Sequence, residues 1–162
     1  MDFEAVYREY FGDVFRYLLR LTGSEELADE LTAETFFKAL RSIDRFRGEC
    51  ELRVWLLKIA KNAFYSHEKK NRRTSSVGEE PLYSLPDTGS DPAGLAERRA
   101  ELNDLRQILH TLKEPYKEVF MWRAFGELSF REIGQIFGKT ENWACVTFHR
   151  ARKMLIERSK GE

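Results

Sequence analysis

The chain has 162 residues, of which 42% are hydrophobic and 13% aromatic. This length is enough for one ordinary domain or two small ones, and the apolar content is enough for hydrophobic cores, which excludes a disordered chain. No apolar run approaches the roughly 18 residues of a membrane-spanning helix, and the acidic N-terminus does not resemble a signal peptide. We therefore expect a globular, cytoplasmic protein without membrane insertion.

The sequence contains no pattern that is typical of a catalytic or metal site. Cys50 and Cys145 are its only cysteines, and neither has neighbours at metal-ligand spacing. We expect reduced thiols, without a disulfide framework or a bound metal. There is no phosphate-binding loop, nucleophile elbow or zinc-protease motif, and the three histidines are scattered. These features predict a protein that is not an enzyme, with no cofactor and no small-molecule substrate.

The formal net charge is zero, which by itself argues against a nucleic-acid-binding protein. The charge is nevertheless divided into blocks: residues 1–34 carry −6, residues 35–73 carry +7, residues 74–97 carry −5 and residues 98–162 carry +4. Two basic blocks separated by an acidic one indicate two surfaces that contact a polyanion, joined by a segment that avoids it.

Apolar residues recur at intervals of three and four along most of the chain, which is the spacing of one face of a helix. This spacing predicts a first helix from Phe3 to Leu18 and a second helix, capped by Ser24, that extends to Ile43. A third helix is predicted from Leu52 onwards. Because Trp55 lies on its apolar face, we expect Trp55 to be a core residue.

Residues 74–97 interrupt this pattern with serine, glycine, proline and acidic residues, and we interpret them as an acidic linker. Helical spacing then returns and stops before Pro115, because a proline disfavours helix in the residue before it. A short helix is predicted from Tyr116 to Phe125, and no alternating run is long enough for a strand. The predicted fold is all-α, with two small helical domains, residues 1–73 and 98–162, joined by a flexible linker.

The C-terminal region has the pattern of a helix-turn-helix. Ser129 and Glu132 form a capping box, Gly138 suits the left-handed residue that ends a helix, and Thr140 caps the next helix. The apolar face of that second helix carries Ala144, Phe148, Ala151 and Leu155. The residues expected to contact DNA in the major groove are Asn142, Trp143, Cys145, Val146, His149, Arg150 and Lys153. The alternative is a helical hairpin with a solvated charged face.

The third predicted helix has a basic face that is interleaved with an amide and an aromatic side chain. The residues of this face are Lys58, Lys61, Asn62, Tyr65 and Lys69, and the preceding loop carries Arg45, Phe46 and Arg47. Cationic and aromatic groups together suit the splayed bases of a single strand. The alternative is a solvated basic face over an ordinary core helix.

Several runs of the sequence together resemble one family. LADELTAETFFKAL at 27–40, RFRGE at 45–49 and LRVWLLKIAKN at 52–62 resemble region 2 of extracytoplasmic-function sigma factors. LSFREIGQIFG at 128–138 and FHRARKML at 148–155 resemble their region 4. The runs occur in the family's order, with a segment between the two regions that does not match.

The resemblance implies an alternative sigma factor that directs bacterial RNA polymerase to the promoters of a stress or envelope-response regulon. The implied partners are core RNA polymerase, through its β′ clamp helices and β flap, promoter DNA and an anti-sigma factor. By similarity, Asp29, Glu30 and Glu34 would meet the clamp helices. The linker would run through the polymerase cleft, where its charge resembles that of nucleic acid.

The resemblance also implies which segments contact promoter DNA. The loop from Asp44 to Cys50 would hold a flipped base of the minus-ten element, and the third helix, with Asn62 in the family's IAxN position, would hold the melted strand. Region 4 would read the minus-thirty-five element. Many family members have a basic residue at the position of Cys145 and a small polar one at that of Val146, and the Asn142-Trp143 pair and Ala33 also depart from the pattern. We expect this chain's base preference to lie at 142–146.

Two other readings are open at this point. A transcriptional regulator could use its N-terminal half for sensing or dimerisation and bind duplex DNA unaided. Alternatively, a helical adaptor could use the basic third helix to bind RNA or another protein.

Overall fold

The structure is a computed structural model that describes residues 2–74 and 94–161. These residues form seven α-helices and one short 3₁₀ turn, without a strand, which confirms the predicted all-α fold. The chain divides into two compact units, Met1–Ser84 and Leu85–Glu162. Most of the predicted linker, residues 74–97, lies outside the described residues. None of the described helices has both the length and the apolar character that crossing a membrane requires.

The predicted helices are present. The first unit contains α1 (Phe3–Thr22), α2 (Glu25–Ser42), the 3₁₀ turn (Ile43–Arg45) and α3 (Leu52–Thr74). The second unit contains α4 (Leu95–His110), α5 (Tyr116–Ala124), α6 (Phe130–Phe137) and α7 (Glu141–Lys160).

The three helices of the first unit pack around one apolar core. Helix α2 begins where the sequence predicts, because the Ser24 hydroxyl accepts a hydrogen bond from the Leu27 N–H at 3.2 Å. Helices α1 and α2 form a hairpin, in which the Phe36 ring lies 4.9 Å from the Tyr7 ring. The buried apolar residues are Val6, Val14, Tyr17, Leu18, Leu21, Ala28, Leu31, Phe36, Ala39, Val54, Leu56, Leu57, Ala60, Ala63 and Phe64.

Trp55 is not part of this core, which corrects the prediction. Val54 and Leu57 are buried, whereas Trp55 is half-buried and its ring lies 5.1 Å from the ring of Phe46. Trp55 lies at the edge of the apolar face of α3, where periodicity alone does not decide between the core and a neighbouring loop. The tryptophan therefore ties the preceding loop to the start of α3.

The second unit contains the helix-turn-helix, formed by α6 and α7. The capping box is confirmed: the Ser129 hydroxyl accepts from the Glu132 N–H at 3.0 Å, and the Glu132 carboxylate accepts from the Ser129 N–H at 2.8 Å. Gly138 ends α6 with a φ of 67°, the left-handed conformation predicted for it. The Thr140 hydroxyl then accepts from the Trp143 N–H at 3.0 Å and begins α7.

Gly134 allows the two helices to approach closely. The Lys139 N–H donates to the Gly134 carbonyl oxygen at 2.8 Å, which folds the turn back onto α6. A Cβ atom at position 134 would lie 2.8 Å from the carbonyl oxygens of both Lys139 and Thr140. These are backbone atoms of the turn itself, so they cannot move aside without moving the start of α7.

We expect Gly134→Ala to lower the free energy of unfolding by up to about 2 kcal/mol, because an overpacking cost of roughly 1–3 kcal/mol opposes a gain of about 1 kcal/mol in helix propensity. Urea unfolding followed by circular dichroism measures it. Gly12→Ala is the matched control, since a Cβ in α1 would meet only the flexible end of Arg16, at 3.0 Å. We expect that variant to be as stable as the parent chain or more stable, and equal effects of the two substitutions would contradict this account.

Candidate nucleic-acid interface

The outward face of α7 brings together most of the residues predicted to read DNA. Asn142, Val146, His149, Arg150 and Lys153 are exposed on this face. The side chains of Asn142, Arg150 and Lys153 make no hydrogen bond or ion pair with any residue that the structure describes. A helix with such a face fits the major groove of B-DNA, where amide and guanidinium groups bond to base edges and ammonium groups neutralise phosphates.

Two predicted residues of this surface are half-buried, Trp143 and Cys145. The Trp143 ring lies 5.3 Å from the ring of Phe137 at the end of α6. Trp143 therefore packs across the turn and helps to hold α7 against α6. The Cys145 thiol is free and lies at the border between the core face and the outward face.

An aromatic shelf lies beneath His149. The shelf consists of Phe148 and Phe130, the residue that follows the cap of α6. The centroid of the His149 ring lies 5.5 Å from that of Phe148 and 6.2 Å from that of Phe130. The Arg123 guanidinium lies over the Phe130 ring, and its central carbon is 4.1 Å from the centroid of that ring. Arg123 also donates to the Leu128 carbonyl oxygen at 3.1 Å. These contacts bring an exposed cation of α5 close to α7, which sequence periodicity did not reveal.

The predicted single-strand surface lies on one face of α3. Asn62 and Lys69 are exposed, and Lys58, Lys61 and Tyr65 are half-buried. In the loop before α3, Arg45 and Arg47 are exposed while Phe46 is half-buried against Trp55. The spacing of positions 55, 58, 62, 65 and 69 follows one line along a helix. Trp55 therefore belongs to the same face as the candidate strand-binding residues.

Tyr10 of α1 lies near the beginning of this face. Burial raises the pKa of Tyr10, and the nearby carboxylates of Glu9 and Glu51 raise it further. The hydroxyl is therefore protonated and neutral at physiological pH. It can donate a hydrogen bond but adds no negative charge beside the basic loop.

Helix α2 has an exposed face that is both acidic and apolar. Asp29 and Glu30 are exposed, and Glu34 pairs with Lys38 at 3.0 Å. Phe37 and Leu40, which the sequence analysis did not select, are 59% and 52% exposed. Large apolar side chains so exposed, with charged residues around them, are typical of an interaction surface. The available sequence signal was the position of Phe37 and Leu40, three residues apart on the helix face that also carries Glu30 and Glu34.

Comparison with known proteins identifies the family. The Sigma-70 region 2 model matches residues 6–74, and the Sigma-70 region 4 model matches residues 102–155. The chain is 36% identical over 152 residues to the RNA polymerase sigma factor YlaC of Bacillus subtilis (strain 168), which covers 92% of this chain and 87% of that protein. The chain belongs to the extracytoplasmic-function family of sigma factors. The ECF RNA polymerase sigma factor SigM of the same organism is 29% identical over 157 residues, 96% of this chain and 93% of that protein.

Solved structures share the fold of this sigma factor. The sigma factor RpoE of Bartonella quintana, solved with the anti-sigma factor NepR, matches with a TM-score of 0.66 and 22% identity over 96% of this chain and 95% of that one. CnrH, solved with the cytosolic domain of CnrY, matches with a TM-score of 0.66 and 19% identity over 99% of this chain and 88% of that one. At these identities the likeness concerns the fold.

Family membership establishes the general function. The sigma factor binds core RNA polymerase and promoter DNA, and it directs the polymerase in transcription initiation. It is an initiation factor and not an enzyme. This excludes the stand-alone regulator and the helical adaptor as readings of the chain.

Proposed function

We propose that the two units of this sigma factor divide promoter recognition between them. Residues 1–73 dock on core polymerase and hold the minus-ten element, residues 98–162 read the minus-thirty-five element, and the acidic linker of residues 74–97 joins them. The observation that carries the proposal is the outward face of α7. It follows a tightly packed turn and presents polar side chains without partners among the described residues.

In the second unit, α7 enters the major groove of the minus-thirty-five element. Arg150 contacts base edges, and Lys153, one turn further, neutralises a phosphate. The proposed reading set is Asn142, Trp143, Cys145, Val146, His149, Arg150 and Lys153. Arg123 lies beside this set through its contact with Phe130 and adds positive charge near the groove. The packing of Trp143 on Phe137 supports a second task for that residue, which is to keep α7 in place.

In the first unit, α3 and its preceding loop hold the melted minus-ten strand. The residues proposed for this surface are Arg45, Phe46, Arg47, Lys58, Lys61, Asn62, Tyr65 and Lys69, and we add Trp55 to them. Extruding a base from the duplex costs a few kcal/mol, so a pocket with preformed walls favours melting. The ring contact between Phe46 and Trp55, with exposed arginines on both sides of Phe46, supports such a role.

The exposed face of α2 docks on the clamp helices of the β′ subunit. Asp29, Glu30 and Glu34 supply negative charge, and Phe37 and Leu40 supply the apolar centre that stable protein interfaces have. The Arg41 guanidinium lies 5.7 Å from the centroid of the Phe37 ring. This contact steadies an exposed aromatic side chain and reduces the entropy that it loses on docking.

We further propose that an anti-sigma factor regulates the chain and that the second unit also contacts the β flap. The support for an anti-sigma partner is that one solved protein of the same fold, the sigma factor RpoE, is in complex with the anti-sigma factor NepR. A stress or envelope-response regulon, a linker path through the polymerase cleft and a cytoplasmic location remain predictions from the sequence. The exposed apolar residues of α2 are a surface that an inhibitor would have to cover.

Run-off transcription on genomic fragments tests the general proposal. Core RNA polymerase mixed with the chain should produce transcripts whose start sites share two upstream elements, and core enzyme alone should not. The absence of any such transcript would contradict it. So would tight, sequence-specific binding of duplex DNA by the chain without polymerase, because the proposal requires both units to act on the enzyme.

Arg150→Ala and Lys153→Ala should both weaken promoter binding by the complete holoenzyme. We expect a loss of about 1–3 kcal/mol for Arg150, at all salt concentrations, because it contacts bases. For Lys153 we expect a loss of affinity that shrinks as the salt concentration is raised, with a decrease of about 1 in the steepness of the salt dependence, because it contacts a phosphate. Lys160→Ala, at the exposed far end of α7, is the control. If both test variants bound the promoter with wild-type affinity, the proposal that α7 contacts the promoter would be contradicted.

Asp29→Lys and Phe37→Ala should each weaken binding to core polymerase by about tenfold, which corresponds to roughly 1.4 kcal/mol and is typical of a central interface residue. Both side chains are exposed, so the first unit should fold normally, as circular dichroism can verify. Glu9→Lys repeats the charge reversal on an exposed residue of α1 and should leave the affinity unchanged. Normal co-purification of both test variants with core enzyme would exclude α2 as the docking surface.

A further inference from the structure

The polar face of α7 is interrupted by one apolar side chain. Val146 is 39% exposed, and it is the only apolar residue that is exposed between Glu141 and Arg152, a stretch that the structure describes completely. Asn142 lies four residues before it and Arg150 four residues after it. Residues at this spacing form one line along a helix, so Val146 lies between an amide and a guanidinium group.

Packing within the second unit does not account for Val146. The core beneath α7 is filled by the neighbouring residues Ala144, Thr147 and Ala151, which are 0%, 5% and 0% exposed. The aromatic residues on both sides of Val146 are in contact with rings of α6, Trp143 with Phe137 and His149 with Phe130. Val146 is directed outward from a helix whose start is determined by the Gly134 contact and the Thr140 cap.

The chemistry of the major groove limits what a valine can select there. Each base pair presents hydrogen-bond donors and acceptors at its groove edge, and the only apolar group among them is the C5 methyl group of thymine. A valine pressed against any other edge would remove water from polar atoms and offer them no bond. The same valine against a thymine methyl group buries apolar surface on both sides.

We propose that Val146 makes this sigma factor select an A·T base pair in the minus-thirty-five element by packing on the C5 methyl group of its thymine. Four residues along a helix span about 6 Å, and base pairs are about 3.4 Å apart. Asn142 and Arg150 therefore reach base pairs about two steps to either side of the selected one. The inference rests on the proposed function, because it takes α7 as the element in the groove.

Replacement of thymine by uracil tests the inference, because it removes the methyl group and keeps the base pairing. Promoter probes carry uracil at one thymine of the minus-thirty-five element at a time, on either strand, and binding is measured with the complete holoenzyme. With the parent chain, uracil at one of these positions should lower the affinity of the holoenzyme for the probe about fourfold, which is the value for one buried methyl group. In Val146→Ala, uracil at that position should cost almost nothing.

Ile156→Ala is the matched control, since Ile156 is also an exposed apolar residue of α7, at 44%, but lies towards its other end. This variant should keep the full uracil effect. A complementary probe carries cytosine in place of the selected thymine, and 5-methylcytosine at that position should recover about fourfold in affinity relative to cytosine.

The inference is overturned if no uracil substitution weakens binding, or if the effect is the same in Val146→Ala as in the parent chain. Failure of the proposed function has a different signature. In that case Arg150→Ala and Lys153→Ala would bind the unmodified promoter as tightly as the parent chain. If these two variants lose affinity while uracil has no effect, α7 reads the element but Val146 does not select thymine.

Discussion

The close approach of α6 to the backbone that precedes α7 is the contact on which the DNA-facing surface depends. Gly134 has no Cβ, so the carbonyl oxygens of Lys139 and Thr140 can pass where a side chain would otherwise lie. The left-handed Gly138 turns the chain, and the Thr140 cap then starts α7 at a defined angle. Every proposed contact with the minus-thirty-five element is a consequence of this angle, because the outward residues of α7 are rigidly linked to it.

Aromatic contacts also hold the proposed DNA-binding elements in place, in addition to the hydrogen bonds of the helix caps. Trp143 packs on Phe137 across the turn, and His149 rests against Phe130, whose ring also holds Arg123. In the first unit, Trp55 holds Phe46 and thereby the basic loop before α3. In each unit, an aromatic side chain at the border of a helix face connects the core to a surface that we propose binds nucleic acid. Substitution of such a residue would disturb the packing beneath the proposed surface as well as the surface itself.

The prediction of helices from the sequence was accurate because their ends are encoded locally. Ser24, Ser129 and Thr140 cap the helices that were assigned to them, and Gly138 ends α6 as expected. These signals depend on hydrogen bonds within a few residues, so no tertiary information is needed. The order of the charge blocks and the family resemblance also required only the sequence. The individual promoter and polymerase contacts are still predictions.

The sequence by itself determined the helices, their caps, the helix-turn-helix and the family, since each of these is a matter of spacing and residue type along the chain. Only the tertiary structure decided which residue at the border of a helix face is buried. Phe36 packs on α1 while Phe37 is exposed, and Val54 enters the core while Trp55 packs on a loop. Neighbouring residues on a helix are about 100° apart, so both can lie at the edge of one apolar face. The direction from which the partner helix approaches then selects between them.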